Sequence, residues 1–218
     1  MGFCTGTQTW IKIVPVEITR RIRRLRRSEL PVDTVELARY LIGKTLVRDL
    51  SVGRVSGRIV ETEAYPIGDA AGHAFRGQTP RNKSVFLAHG HAYVHFTYGS
   101  CWLVNVTSEE FGVGGAVLIR AIEPVEGVSI MSHNRGVSGL RDIARGPGRL
   151  TAAMEIDKQL DSVDLCSYES PLWLGAAVRP AGPIGVTTRI GLSKEAHRKL
   201  RFYERGSPFV SGPRHLLV

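Results

Sequence analysis

Two carboxylates and a phenol stand at alternate positions in Glu61-Thr62-Glu63-Ala64-Tyr65. Alternate side chains of an extended chain share a face, so Glu61, Glu63 and Tyr65 lie together, with Thr62 and Ala64 opposite. Two strand rises separate the acids by about 6 to 7 Å, close enough for one to raise the pKa of the other and prepare it for acid or base work. The same pattern also fits solvated acids at a strand end. The histidines offer a second chemistry, because His89, His91 and His95 share strand parity. About 13 Å of extended chain separates His91 from His95, too far to hold one ion between them, and His89 with His91 lacks further ligands. No metal site is expected.

A projecting ribbon gives the acids a context. Ala92 to Thr97 and Cys101 to Thr107 are β-branched and aromatic runs on either side of Tyr98-Gly99-Ser100, the pattern of a hairpin with its tip at Gly99. Tyr93, His95, Thr97, Cys101, Leu103 and Asn105 share one parity; Val94, Phe96, Tyr98, Trp102, Val104 and Val106 share the other and hold most of the apolar bulk. The second face is therefore the core face, except at Tyr98. An aromatic at the tip of a ribbon can wedge between bases in a minor groove, as base-flipping proteins do. His95 and Asn105 lie about equally far from the tip and can face one pocket.

Other elements must carry these groups. Asp33 with Glu36 fits a capping box, Leu37, Ala38, Leu41 and Ile42 share a helical face, and Gly43 marks the helix end. Thr45 to Leu50 and Gly57 to Ala64 read as strands joined by a turn near Ser51 to Gly53. Pro66 to Ser84 has no periodicity and is longer than an ordinary connector, which points to a working loop or to disorder. Ala116 to Ile122 is a further strand, Pro124 to Met131 and Gly148 to Ile156 are expected helices, and Ile184 to Ile190 and Arg201 to Glu204 are expected strands. Strands clustered without βαβ alternation predict an α+β fold: a single domain, a largely antiparallel sheet and surrounding helices.

Composition narrows the class. The chain has 218 residues, 43% hydrophobic and 22% charged, and no apolar run near the roughly 20 residues that span a bilayer. Cys4, Cys101 and Cys166 are scattered and odd in number, which argues against a disulfide framework and for a reducing cytoplasm. Met1 to Val16 does not have the form of a secretory signal. The net charge of +9 is uneven: residues 1–28 carry seven basic residues and one acid, a balance of +6. The sequence is therefore divided into a basic, flexible arm over 1–28 and a body over 29–218. The arm is either a tail that adds phosphate affinity or a solvated extension.

From Thr34 to Ser211 the chain resembles the alkyladenine (3-methyladenine) DNA glycosylases. The resemblance rests on six motifs in the family's order: Val60-Glu61-Thr62-Glu63-Ala64-Tyr65; Gln78-Thr79-Pro80-Arg81-Asn82; Tyr93-Val94 to Tyr98-Gly99 with Asn105; Leu118 to Pro124; Gly146-Pro147-Gly148-Arg149-Leu150; and Arg201 to Pro208. It implies a monofunctional enzyme that hydrolyses the N-glycosidic bond of alkylated or deaminated purines in double-stranded DNA. The lesion class is 3-methyladenine, 7-methylguanine, hypoxanthine and ethenoadenine. A monomer with no cofactor or metal, and no membrane association, is implied with it.

By resemblance, Glu63 is the general base, Arg120 helps hold the attacking water, and Ile190 offers it a backbone carbonyl. Tyr65, His73 and His95 form the walls of the base pocket, with the His73 amide at the purine edge. Asn105 crowds the 2-amino group of guanine, and Tyr98 intercalates. His95 stands where the family usually has a second tyrosine, and brings a titratable group that would disfavour cationic bases at low pH. Ser100 replaces a larger residue at the DNA surface. Arg76, Arg81, Lys83, Arg145 and Arg149 are candidate phosphate contacts. A non-catalytic binder of damaged DNA and an RNA-binding domain are the competing expectations.

Overall fold

The computed structural model describes residues 22–97 and 99–213. Asp33 starts helix α1 (Thr34–Leu41) by accepting hydrogen bonds from the amides of Val35 and Glu36, which satisfies two of the helix's unpaired donors. Its apolar face buries Leu37, Ala38 and Leu41 completely, and each leucine contributes roughly 2 kcal/mol of burial. Gly43 then turns the chain with φ +86°, leading into strand β1 (Thr45–Leu50) and the long strand β2 (Gly53–Tyr65).

All strand pairings are antiparallel, and β2 is the hub. One edge of β2 pairs with β5 (Ala116–Glu126). Its other edge pairs first with β1, over residues 53–58, and then with β8 (Arg201–Glu204), over residues 61–63. The register with β5 shifts on both sides of Glu61; such bulges re-aim side chains where a site is built. The hairpin of β3 (Ala92–Thr97) and β4 (Cys101–Thr107) joins through β4 to β5. At the far side β6 (Leu172–Gly175) pairs with β1, and β7 (Ile184–Thr187) pairs with β8. Helices α2 (Val128–Arg135) and α3 (Pro147–Ala153) complete an α+β domain. Val94, Val104 and Val106 of the hairpin, Ile59 and Ala64 of β2, Ile119 of β5 and Phe202 of β8 meet α1 and α3 in one core.

Several expected boundaries move. Pro124 to Glu126, expected as helix, belongs to β5, and the helix runs from Val128 to Arg135. Gly127 explains the shift: it has φ +64°, and a Cβ there would collide with the Arg54 carbonyl. Pro124, which cannot donate to the ladder, sits where the register slips between Ser56 and Gly57. The strand expected over Ile184 to Ile190 ends at Thr187, freeing Thr188 to Ile190 to leave the sheet. The β6 strand has only four residues, too few to announce a period.

Residues 22–28, expected as part of a flexible arm over 1–28, pack on the body. Leu25 is buried, its amide donates to the Leu174 carbonyl at 2.9 Å, and Arg24 stacks over Trp173 at 4.3 Å. Arg23 pairs with Glu29 and Arg27 with Asp164, both at 2.8 Å. Four of the arm's seven cations therefore sit in a packed segment, and two of these four are in ion pairs with acids at 2.8 Å. Residues 1–21 lie outside the described residues. Among the described residues no helix is long and apolar enough to cross a membrane.

Candidate active site

Strand β2 delivers both acids to the interior, and neither Glu61 nor Glu63 has any exposed surface. Three donors surround the Glu63 carboxylate. The Ile190 amide donates to Oε1 at 2.8 Å, Arg120 Nη1 lies 3.2 Å from the same oxygen, and the Tyr65 hydroxyl donates to Oε2 at 3.0 Å. Tyr65 remains a phenol: burial and the Glu63 charge push its pKa far above the ordinary tyrosine value. Burial works against the Arg120 cation, but Glu63 and Glu61 outweigh it and raise its pKa. Oε1 thus faces two donors and Oε2 one, so a carboxylate oxygen keeps acceptor capacity.

These groups form one wall of a cavity of about 720 Å³. Glu63, Arg120, Ile190, Tyr65, His73, His95 and Asn105 all line it, so residues spread over 128 positions of sequence meet in one place. Ile190 reaches Glu63 through its amide, a contact separate from the one expected between its carbonyl and the attacking water. The His73 carbonyl accepts from Asn82 Nδ2 at 2.8 Å. Asn82 also donates to the Gly77 carbonyl and accepts from the Thr79 amide, so one side chain ties together the consecutive turns of the long loop. Tyr98 lies outside the described residues.

Another part of the lining is aromatic. His95 stacks on Tyr93 with ring centroids 4.9 Å apart and 27° between planes, and meets His73 edge-on at 4.4 Å. His73 Nδ1 lies 2.7 Å from the Tyr93 hydroxyl. Burial, then the neighbouring His73 and Arg81, push the His95 pKa down to about 3, and burial with Arg81 lowers that of His73. His95 is therefore neutral at physiological pH, and the charge anticipated for it at low pH develops only well into the acid range. The Asn105 amide group is fixed by donation to the Tyr93 carbonyl at 3.0 Å.

Sequence alone did not find what stands behind the walls. Arg189 and Asp69, both buried, pair at 2.7 Å, and Arg189 also donates to the Ala64 carbonyl at 3.0 Å. Its guanidinium lies 4.6 Å from the Tyr65 ring, which gives the buried cation a π-face to rest on. Sixty-nine and 189 carry no local pattern that links them; adjacency to Ile190 is the single available signal. Among the proposed phosphate contacts, Arg76, Arg81, Lys83 and Arg149 are exposed. Arg145 is half-buried and donates to the Val210 carbonyl at 2.8 Å.

Comparison with known proteins supplies the lineage. The family model described as methylpurine-DNA glycosylase (MPG) matches residues 28–208. A protein of Mesorhizobium japonicum named "Putative 3-methyladenine DNA glycosylase" is 63% identical over 192 residues, covering 88% of this chain and 92% of the relative. Relatives with the same name in Paraburkholderia phytofirmans and Methanocella arvoryzae are 58% and 48% identical, covering 89% and 82% of this chain and 91% and 90% of their own lengths. With a family match over most of its length, and with the buried acid, its arginine and the aromatic cavity in one place, the chain belongs to the methylpurine-DNA glycosylase family.

Proposed function

We propose that this chain is a monofunctional DNA glycosylase that receives an alkylated or deaminated purine, extruded from double-stranded DNA, and hydrolyses its N-glycosidic bond. The observation that carries this is the convergence of Glu63, Arg120 and the Tyr65 hydroxyl on the wall of an aromatic cavity. A volume of about 720 Å³ falls within the roughly 300–1,000 Å³ of small-molecule sites. A water beside Glu63 gives its proton to the carboxylate as its oxygen bonds to C1′ of the sugar. The C1′–N bond breaks, and its electron pair leaves with the purine. The carboxylate also stabilises positive charge that develops on the sugar.

A base methylated at N3 or N7 is cationic and departs as a neutral molecule. Hypoxanthine needs a proton first, at N7. Neutral His95 suits both classes, because a cationic base stacked on that wall meets rings without charge. No lysine is among the described residues lining the cavity, which fits hydrolysis rather than amine attack and strand cleavage. Asn105 would exclude guanine by crowding its 2-amino group, and Tyr98 would fill the space that the extruded base leaves. Ile190 would hold Glu63 through its amide.

The test is direct. Duplexes carrying 3-methyladenine, 7-methylguanine, hypoxanthine or ethenoadenine are incubated with the protein and then treated with alkali. Release of free base with alkali-dependent strand breaks is expected for at least one lesion. Lesion binding with no release across the panel would make the protein a non-catalytic binder.

A further inference from the structure

Glu61 is as deeply buried as Glu63, yet it does not line the cavity and cannot touch a substrate there. Four donors converge on it. Oε1 accepts from Arg120 Nε at 2.8 Å, Arg201 Nε at 2.7 Å and Ser211 Oγ at 3.0 Å; Oε2 accepts from the Ser211 amide at 2.6 Å. Ser211 Oγ in turn accepts from Arg120 Nη2 at 3.3 Å, and Arg201 Nη2 donates to the Ser211 carbonyl at 2.8 Å.

This set fixes the direction in which Arg120 points. A guanidinium is planar, so holding its Nε and Nη2 edge leaves the orientation of Nη1 determined. Nη1 is the atom 3.2 Å from Glu63. The charges also balance: Arg120 pairs with Glu61 and Glu63 and Arg201 with Glu61, two buried cations against two buried anions. Burial alone would raise the Glu61 pKa, but Arg120, Arg201 and the Ser211 amide hold it below the ordinary carboxylate value. Glu61 therefore stays charged and keeps its grip.

We propose that Glu61 and Ser211 are positioning residues for the reaction: together they clamp the far edge of Arg120 so that its Nη1 meets Glu63 and the water that Glu63 activates. Ser211 belongs to the stretch after β8, remote in sequence from either acid, so the clamp closes only when that stretch is seated on the sheet. The inference rests on Glu63 acting as the base.

Ser211→Ala removes the hydroxyl and keeps the backbone amide, so it tests the clamp without stranding a buried charge. Single-turnover excision from a hypoxanthine duplex is expected to slow roughly tenfold, while the Kd for the same duplex changes less than about twofold. In an Arg120→Gln background the serine replacement is expected to add nothing, because the group it positions is gone. Glu61→Gln, checked for folding by thermal melting, is expected to show a larger loss with the same kinetic split. An unchanged rate for Ser211→Ala, an equal loss in both backgrounds, or a loss confined to Kd would each overturn the clamp. Glu63→Gln is run alongside: normal excision by that variant would overturn the base assignment itself, whereas its inactivity beside a normal Ser211→Ala rejects only the clamp.

Discussion

The backbone amide of Ile190 donates to Oε1 of Glu63 at 2.8 Å, across 127 residues of sequence. A main-chain donor survives any side-chain replacement at 190 except proline, so the orientation of Glu63 is tied to the path of the chain between β7 and β8. Glutamine at 63 can keep its carbonyl toward Ile190 and Arg120 and turn its NH2 to the Tyr65 hydroxyl, which accepts as well as donates, so the contacts are kept while the base is lost. Glu63→Gln is expected to retain lesion-duplex binding and to lose excision by about 100-fold or more. Gel-shift affinity and single-turnover kinetics on one preparation check both halves.

Tyr65 serves Glu63 with its hydroxyl and the cavity with its ring. Tyr65→Phe keeps the ring and deletes a hydrogen bond to a charged acceptor, a loss of roughly 1.5–3 kcal/mol. The excision rate is expected to fall about 10- to 100-fold with lesion affinity nearly unchanged. Comparable losses in rate and affinity would show that the hydroxyl matters to binding instead.

The depressed pKa of His95 has a consequence for acid stability. The group binds a proton near pH 6.5 when unfolded and near pH 3 when folded, so between those values the unfolded state holds more protons. Its contribution is therefore intact above about pH 6.5 and is lost progressively as pH falls toward 3. The melting temperature of the native chain is expected to drop more steeply from pH 7 to pH 4 than that of His95→Phe. Parallel slopes would contradict a buried, neutral His95.

Asp69→Asn removes the partner of a fully buried arginine. Breaking such a pair typically costs about 3–5 kcal/mol, so the urea midpoint is expected to fall accordingly. Because Arg189 also supports the Tyr65 ring and the Ala64 carbonyl, the excision rate of the folded variant is expected to fall with it.

Deleting residues 1–21 removes Lys12, Arg20 and Arg21. Each phosphate contact adds about 0.9 to the log–log salt slope of duplex binding, so the slope is expected to change by less than about 3. Single-turnover excision is expected to hold. Filter binding from 50 to 200 mM salt measures the slope, and a larger change would mean that the deletion also disturbs Arg23 to Arg27.

What could be read from sequence was what local pattern encodes. Helix α1 has its cap, its apolar face and its terminal glycine within eleven residues, and the β3–β4 hairpin has β-branched and aromatic runs about a glycine tip. Glu63, Arg120 and the cavity residues were found through motifs, and the structure brings them around one space. Other features depend on tertiary meetings that no local pattern carries. Asp69 with Arg189, and Ser211 with Glu61, are pairs separated by more than a hundred residues. Gly127 moved a helix start because its backbone passes close to Arg54, a neighbour invisible from its own segment. The basic arm misled in another way, since charge counting cannot tell a solvated arginine from one stacked on Trp173.

The position of β2 between β5 and β8 has a final consequence, for the order in which the molecule comes apart. Amides at residues 61–63 belong to a strand paired on both edges, so their hydrogen exchange is expected to require opening of the whole sheet. The turns over 66–82 lie outside the strand ladders, held by turn hydrogen bonds, the Asn82 side chain and the Asp69–Arg189 pair, and their amides are expected to exchange through smaller openings. Glu63 is thus expected in a slower-opening part of the protein than the loop that carries His73. That contrast predicts a cavity whose loop side can loosen while the contacts of Glu63 with Arg120 and Ile190 stay in register.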